Sequence, residues 1–442
     1  MTIKKFLLIG FFICLPFAYA QEPTKKLINM PEREEAFMDW GLGMFIHWSL
    51  DSQLGSVISH SLVGASEQYI ERYLSDLPPS FSPDNYDPDQ WMRIAKRAGV
   101  KYMVFTAKHH SGFCMWDTET TDFSIMNTPY GQDIVERYVH ACREHGLKVG
   151  FYFSPEDFYF LHQQGHLIRR RADYAQPTHN TELLEYDKRQ VHELLTNYGD
   201  IDVLFFDGIE SEPLVQYAHQ LAPECIVTRG EMQTPEQNIP GQPMPGPWEA
   251  CFTLGTQWHF KPTNEDYKSG STLINMLIEI RAKGGNLLIN AGPQPDGTIP
   301  FEQTRRFREL GLWMFVNQEA VYDIRPCPVI REGNLWFTRD TSSNTAFVFL
   351  TNQGEWPLGE RRDFILQSIS ATPETEISVL GQNDKVVEYN PDKTPVSRYN
   401  QQDNLLIFSV VRAQRLYNNR QWPNPVVVKL TNVVFNEKQG AH

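Results

Sequence analysis

Short apolar runs alternate with amphipathic segments between about residues 40 and 325. Each run is too short for a helix and rich in β-branched and aromatic residues, which indicates a buried strand. The predicted strands are residues 41–48, 102–108, 149–154, 203–207, 226–229 and 286–290. The predicted helices are residues 89–98, 133–145, 273–282 and 301–322. Repeated β–α units predict a parallel sheet, and their number predicts an α/β fold with a (β/α)8-like barrel.

The pattern changes after Pro326 and Pro328. Short apolar runs then follow one another with Asn, Asp, Gly and Pro between them and no helical segment. The runs are residues 346–350, 364–366, 377–380, 405–411 and 426–430. This texture predicts an all-β accessory domain, in the form of a sandwich. We therefore expect a barrel domain over residues 21–325 and a β-sandwich domain over residues 326–442.

The first twenty residues are typical of a secretory signal peptide. Lys4 and Lys5 form a basic region, residues 6–17 an apolar core, and residues 18–20 (Ala-Tyr-Ala) a small-x-small cleavage site. The apolar core is too short to span a bilayer. We expect a mature chain that begins at Gln21 and is secreted or periplasmic, without membrane insertion.

The net charge limits the possible binding partners, and the number and spacing of the cysteines limit the possible disulfides. A formal net charge of −14 makes the chain a poor candidate for binding nucleic acid or an anionic membrane. Five cysteines follow the leader, widely spaced and without a CxxC pair, so we expect buried thiols with at most two disulfides. These are Cys114, Cys142, Cys225, Cys251 and Cys327. An aromatic content of 12% fits a carbohydrate site and fits an aromatic core equally well.

Polar side chains occupy the ends of the predicted strands, where a barrel places its functional residues. The residues at these positions are His47, Trp48, Lys108, His109, His110, Ser154, Asp207 and Arg229. Histidine and arginine supply hydrogen bonds, an aromatic ring supplies an apolar face, and a carboxylate supplies the reaction for a polyhydroxylated ligand. Taken alone, Asp207 with Gly208 after it also fits a turn or a helix cap.

Other chemistries have weaker support. Three histidines and an aspartate can hold zinc, but neighbouring residues of an extended strand point to opposite faces, so His109 and His110 cannot easily bind one ion. The chain has no HExxH motif and no GxSxG elbow, and its glycine-rich runs fit no phosphate loop. We expect no cofactor and no metal.

Seven segments in order resemble the α-L-fucosidases of glycoside hydrolase family 29, from about residue 30 to 325 and more weakly beyond. They are residues 43–48 (GMFIHW), 101–123 (KYMVFTAKHHSGFCMWDTETTDF), 203–208 (VLFFDG), 234–237 (TPEQ), 247–258 (PWEACFTLGTQW), 284–300 (GGNLLINAGPQPDGTIP) and 310–322 (LGLWMFVNQEAVY). The resemblance implies a retaining exo-glycosidase with a barrel and a C-terminal β-sandwich. Its substrates would be fucosylated oligosaccharides or glycoconjugates.

The resemblance also implies roles for individual residues. Asp207 would be the nucleophile of a double displacement. The pocket for the terminal sugar would contain His47, Glu67, His109, His110, Arg229 and Trp258, with either Tyr152 or Phe153. The acid/base would be Glu236 or Glu249, and the GTQW segment resembles the subgroup that favours Glu236. The other glutamate would then orient an arginine or histidine.

Several positions depart from the family pattern. Gln68 stands where family members often have tryptophan, and Ser111 stands where they often have aspartate. A more polar wall at Gln68 would admit a C6 hydroxyl, which makes α-L-galactosidase activity or relaxed specificity the alternative function. An alternative of another class is a carbohydrate-binding protein without catalysis.

Overall fold

The computed structural model describes residues 28–55, 57–413 and 424–436. The signal peptide predicted for residues 1–20 lies outside these residues. Within them, no helix is both long enough and apolar enough to cross a membrane.

Seven parallel strands form the principal sheet, in the order β5-β4-β3-β2-β1-β7-β6. Their ranges are β1 Leu42–Ile46, β2 Tyr102–Lys108, β3 Lys148–Phe153, β4 Val203–Phe206, β5 Ile226–Val227, β6 Glu249–Thr253 and β7 Asn286–Ala291. The prediction of a parallel α/β sheet is confirmed. The sheet has seven hydrogen-bonded strands, where eight were expected. The sequence did not predict β6, because a strand that opens on Glu249 and contains Cys and Thr is not an apolar run.

Helices precede, connect and follow these strands. Most of them pack against the outer side of the sheet, whereas Phe37 of the first helix packs inside it. The helices are α1 Pro31–Trp40, α2 Glu67–Asp76, α3 Pro88–Ala98, α4 Ile134–Glu144, α5 Phe158–Gln163, α6 Thr181–Thr196, α7 Glu212–Leu221, α8 Gly270–Ala282 and α9 Phe301–Asn317. Asp87 and Asp133 cap α3 and α4 through hydrogen bonds from backbone N–H groups of the first turn. Gly99 ends α3 at a φ of 88°, a backbone conformation that favours glycine. The helix predicted to end at residue 322 ends earlier, and a 3-10 turn, Gln318–Ala320, follows it.

Side chains along the parallel strands alternate between two cores. Phe45, Tyr152 and Phe205 pack together inside the curved sheet, with the Phe45 and Phe205 ring centroids 5.1 Å apart. Phe151 and Phe153, on either side of Tyr152, pack in the larger core between the sheet and the helices. The period of two along a strand therefore makes Tyr152, not Phe153, the residue that faces the interior.

The two edge strands, β5 and β6, are joined by a long irregular connection. Within this connection, Gln233 forms an isolated parallel bridge with Trp248, and Glu236 forms one with Cys251 of β6. The segment that carries Glu236 thus runs alongside β6 at the open side of the sheet. This position holds Glu236 in the region where a complete barrel would have another strand.

Two antiparallel sheets follow the parallel one. Their strands are β8 Arg325–Glu332, β9 Leu335–Asp340, β10 Thr345–Leu350, β11 Arg361–Leu366, β12 Ile369–Val379, β13 Arg398–Gln402, β14 Leu405–Val411 and β15 Val426–Phe435. The sheets have the orders β12-β15-β10-β9-β8 and β11-β14-β13. Phe337 and Val348 of the first share a core with Leu366 and Phe408 of the second, as in a sandwich. We propose a domain division at residues 325 and 326, where β8 begins.

All five cysteines after the leader are free and buried in the structure. The expectation of buried thiols is confirmed, and the described residues contain no disulfide.

A buried ion pair fixes the carboxyl end of β2 to the elements around it. The Lys108 Nζ lies 3.0 Å from Asp157 Oδ2 and 3.0 Å from Asp187 Oδ1, and all three side chains are fully buried. Asp157 also caps α5 by accepting a hydrogen bond from the backbone N–H of Phe160. Lys108 therefore connects β2, the start of α5 and α6 immediately before His109 and His110.

We expect Lys108→Met to lower the free energy of unfolding by about 3–5 kcal/mol, because two buried carboxylates lose their shared cation. Denaturant unfolding measures the change. The matched control is Lys188→Met. Lys188 is partly exposed and pairs with Glu185, and both residues lie on α6, so this substitution should lower the free energy of unfolding by at most about 1 kcal/mol. Equal losses in the two variants would contradict a structural role for the buried pair.

Candidate active site

A cavity opens at the carboxyl ends of the parallel strands. Residues that line it are Phe45, His47, Ser59, His109, Tyr152, Arg170, Phe205, Asp207, Arg229, Glu236, Cys251 and Trp258. Seven of the residues singled out in the sequence are among them: His47, His109, Tyr152, Asp207, Arg229, Glu236 and Trp258. The strand ends thus bring together side chains that are far apart in the chain, as expected for a parallel barrel.

Asp207 is the centre of a hydrogen-bond network. Its Oδ2 accepts a hydrogen bond from Tyr152 Oη at 2.6 Å, and its Oδ1 accepts one from Arg229 Nη1 at 2.8 Å. The Nε2 of His110 lies 3.4 Å from Oδ2. Burial alone would raise the pKa of Asp207, but the hydrogen bond and charge of His110, with Arg229 and Tyr152, hold this pKa well below its usual range. The carboxylate is therefore ionised at neutral pH.

The direction of the hydrogen bonds from His109 to Asp207 follows from the backbone. The Nδ1 of His109 accepts a hydrogen bond from the backbone N–H of His110, so the ring proton is on Nε2. That Nε2–H donates to Tyr152 Oη at 2.9 Å, and the hydroxyl proton of Tyr152 goes to Asp207. Burial, followed by the charges of His110 and His47, lowers the pKa of His109 well below its usual value, so the ring is neutral. This relay orients one donor at Asp207.

Hydrogen bonds also fix the tautomer of His47, with the ring proton on Nδ1. Asn290 donates a hydrogen bond from Nδ2 to the carbonyl oxygen of Trp258, so its Oδ1 faces His47 Nδ1 at 2.7 Å and accepts a proton from it. Burial lowers the pKa of His47 to about 3, which keeps the ring neutral. The remaining nitrogen, Nε2, is then a hydrogen-bond acceptor beside the Trp258 ring, whose centroid is 4.8 Å from that of His47. A neutral acceptor next to an aromatic face suits a sugar hydroxyl.

One guanidinium nitrogen contacts two carboxylates. Arg229 Nη1 lies 2.8 Å from Asp207 Oδ1 and 3.0 Å from Glu236 Oε2, so these two oxygens are at most about 6 Å apart. That limit is compatible with the roughly 5–5.5 Å between the carboxyl groups of a retaining glycosidase and is below the roughly 6.5–9.5 Å of an inverting one. The Glu236 side chain is 43% exposed, whereas Asp207 is 20% exposed. The pair therefore has one inner carboxylate and one at the mouth.

Glu249 lies at the other end of the sheet. It is the first residue of β6, fully buried, and its Oε2 accepts a hydrogen bond from Tyr102 Oη at 2.8 Å, at the start of β2. Burial raises the pKa of Glu249, although hydrogen bonds from Thr228 and Tyr102 oppose the shift. Because the amino ends of parallel strands are opposite the pocket, the structure does not bring Glu249 to Asp207.

Two further residues singled out in the sequence do not line the cavity. Glu67 is the first residue of α2, and its side chain is 68% exposed, with an oxygen 3.7 Å from His162 Nε2. Gln68 beside it is also exposed. His110 is fully buried behind the cavity wall, where it contacts Asp207. The start of α2 is therefore on the surface and outside the cavity lining.

The sequence did not indicate Arg170, Ser59 or the buried Glu156. Arg170 follows α5 in a run of three arginines, Arg169 to Arg171, and only the middle one lines the cavity. Its Nε donates to Glu156 Oε2 at 2.9 Å. A run of arginines in a loop after a barrel strand was the available signal, but nothing in the sequence distinguishes the one that turns inward.

His109, His110 and Asp207 each offer a donor atom within 4.8 Å of the others, a spacing that a metal ion can bridge. However, both nitrogens of His109 already take part in hydrogen bonds, with the His110 backbone and with Tyr152. Asp207 is in addition paired with the cation of Arg229. A second cation at this position would be repelled by Arg229, so the group fits a hydrogen-bond network better than a metal site.

Comparisons with known proteins identify relatives over most of the chain. The family model described as α-L-fucosidase matches residues 18–319. The plasma α-L-fucosidase of Pongo abelii is 26% identical over 407 residues, 81% of this chain and 84% of that protein. The α-L-fucosidase of Branchiostoma floridae is 28% identical over 407 residues, covering 83% and 88%. The solved structure of α-L-fucosidase isoenzyme 1 from Paenibacillus thiaminolyticus has a TM-score of 0.73 and 28% identity, over 90% of this chain and 98% of that one.

We expect Glu249→Gln to change stability in a pH-dependent way. A carboxyl whose pKa is raised on folding holds its proton longer in the folded state, so its contribution to stability is lost as pH rises through the folded pKa. Glutamine removes this loss, so the free energy of unfolding of the variant relative to the unsubstituted protein should increase between about pH 4 and about pH 8. Denaturant unfolding at both pH values measures the difference. A difference independent of pH would contradict the raised pKa.

Proposed function

Because this chain belongs to the α-L-fucosidase family of glycoside hydrolases, we propose that it is a retaining exo-α-L-fucosidase. Its substrates would be fucosylated oligosaccharides or glycoconjugates, from which it releases the terminal L-fucose. The observation that carries the proposal is the pair of carboxylates that share Arg229 Nη1 at one cavity. An ionised inner carboxylate and a second one at the mouth are what double displacement requires.

In the proposed first step, Asp207 attacks the anomeric carbon while Glu236 protonates the departing glycosidic oxygen. The Asp207 carboxylate is suited to attack because His110, Arg229 and Tyr152 keep it ionised. Glu236 is suited to protonate the leaving group because its half-exposed position is where the rest of the glycan leaves the pocket. The products of this step are a covalent glycosyl-enzyme and the shortened glycan.

In the proposed second step, Glu236 removes a proton from water as the water oxygen attacks the anomeric carbon. The ester bond to Asp207 breaks, which releases L-fucose and restores the Asp207 carboxylate. Formation of the ester removes the negative charge of Asp207, so Glu236 is then the remaining anionic partner of Arg229 Nη1. Arg229 thus contacts both the proposed nucleophile of the first step, Asp207, and the proposed base of the second, Glu236.

Neither alternative function gains support. The expectation of α-L-galactosidase activity depended on Gln68 as part of the sugar pocket, and Gln68 is exposed and absent from the cavity lining. A binding protein without catalysis would not require two carboxylates held by one arginine beside the pocket. We also propose export, on the basis of the signal-peptide pattern in residues 1–20.

Hydrolysis of an aryl α-L-fucoside tests the reaction. We expect the first-formed sugar to be the α anomer, followed by NMR before mutarotation, because two inversions restore the configuration. Asp207→Asn should lower kcat by roughly 10⁴-fold or more, as loss of a covalent nucleophile does. Release of the β anomer would refute the retaining mechanism. An aryl α-L-galactoside, run in parallel, should be the poorer substrate.

Glu236→Gln and Glu249→Gln form a matched pair that tests the acid/base. We expect Glu236→Gln to lower kcat/KM by roughly 10²–10⁴-fold on glycans with poor leaving groups, and by much less on activated aryl fucosides. Glu249→Gln should retain activity on both substrates, because its side chain lies at the far end of β6. The reverse order of effects would assign the acid/base to Glu249.

A further inference from the structure

Arg170 is a cation in the cavity wall to which the proposed mechanism gives no part. Its neighbours Arg169 and Arg171 are exposed, whereas the Arg170 side chain is 26% exposed and lines the cavity with Asp207. An arginine costs free energy to desolvate, so a buried position needs a compensating interaction. Burial lowers the pKa of Arg170, but the charge of Glu156 and its hydrogen bond raise it, with a net increase, so the cation persists.

Both the backbone and the head group of Arg170 are held in place. Its Nε donates to Glu156 Oε2 at 2.9 Å, and its carbonyl oxygen accepts a hydrogen bond from Gln176 Nε2 at 2.6 Å. With Nε engaged, the two terminal nitrogens, Nη1 and Nη2, make no hydrogen bond to any residue that the structure describes. These nitrogens carry four N–H donors in the plane of the guanidinium. A fixed arginine thus presents unused donors at the pocket.

The anchor of Arg170 also contacts the group behind the nucleophile. Glu156 is 3% exposed, and the same Oε2 lies 3.2 Å from His110 Nδ1, while His110 Nε2 lies 3.4 Å from Asp207. The segment is attached to β2 as well, because the backbone N–H of Phe158 donates to the carbonyl oxygen of His110 at 2.8 Å. Glu156 therefore sets the position of Arg170 relative to the reacting carboxylate.

We propose that Arg170 binds the terminal sugar through its two terminal nitrogens, which donate hydrogen bonds to hydroxyl oxygens on adjacent ring carbons. Glu156 acts as the positioning residue that keeps the guanidinium in this orientation. The planar fork of arginine matches two neighbouring oxygens, whereas a lysine ammonium is a point charge without that geometry. The proposal complements His47 Nε2, a neutral acceptor, with donors from another part of the cavity wall. It rests on the proposed function for the identity of the sugar.

The test compares Arg170→Lys and Arg170→Met on aryl α-L-fucoside and on its 2-, 3- and 4-deoxy analogues. On the fucoside we expect either substitution to lower kcat/KM by roughly 10- to 100-fold, the effect of losing hydrogen bonds to a charged donor. On the analogue that lacks a contacted hydroxyl, the same substitution should lower kcat/KM much less, because the hydrogen bond to that hydroxyl is already absent. Arg169→Met, which changes an exposed neighbour, is the matched control and should behave like the unsubstituted enzyme.

The positioning role of Glu156 can be measured separately from its contribution to folding, through the ratio of kcat/KM between the fucoside and the deoxy analogues. Glu156→Gln keeps an oxygen acceptor for Arg170 Nε and should retain the ratio of kcat/KM between the fucoside and the deoxy analogues, whatever its effect on kcat. Glu156→Ala should reduce that ratio to the level of Arg170→Lys. If Glu156→Ala does not fold, the comparison of Arg170→Lys with the unsubstituted enzyme still decides the contact.

The tests distinguish failure of the Arg170 contact from failure of the proposed function. An equal loss on the fucoside and on every deoxy analogue would overturn the Arg170 contact and leave the proposed function intact. Absence of turnover of any α-L-fucoside by the unsubstituted enzyme would instead overturn the proposed function. In that event, calorimetric titration with L-fucose and its deoxy analogues tests Arg170 separately, since Arg170→Lys should weaken only the binding of sugars that carry the contacted hydroxyls.

Discussion

The site depends on keeping a carboxylate ionised where it is four-fifths removed from water. Burial by itself opposes the charge of Asp207, so charges and hydrogen bonds from several elements must compensate it. Arg229 supplies a cation from beyond β5, Tyr152 supplies a hydroxyl from β3, and His110 contacts the carboxylate from beyond β2. Each partner is in turn held by another group. The arrangement of the strand ends is therefore the condition for an ionised Asp207.

The guanidinium of Arg229 links the ionised Asp207 to a second carboxylate. Because Arg229 Nη1 contacts both Asp207 and Glu236, the charge of one carboxylate affects the stability of the other. The second carboxylate reaches this position on an irregular segment beside β6, not on a regular strand. The open side of the seven-stranded sheet thus leaves space for Glu236 at the mouth of the cavity.

Much of the fold was predictable because it depends on local patterns. The predicted runs 41–48, 102–108 and 203–207 contain the strands β1, β2 and β4. Their common direction brings the polar residues at their carboxyl ends to one edge of the sheet. The strand β6 was not predictable, because Glu249 interrupts the apolar pattern. Its carboxylate is compensated by Tyr102, a partner 147 residues away in the chain. Arg170 was missed for the same reason, since its inward orientation depends on the distant contacts of Glu156.

The sequence by itself determined most strands of the parallel sheet, the candidate carboxylates and the family resemblance, because these follow from residue type and short-range spacing. Only the tertiary structure decided which side chains meet. It turned Tyr152 inward and Phe153 outward, brought Glu236 to Asp207 and left Glu249 at the opposite end of the sheet. The reason is physical: the face and the end of a strand on which a residue lies depend on register with neighbouring strands. That register is set by long-range packing, which no local pattern records.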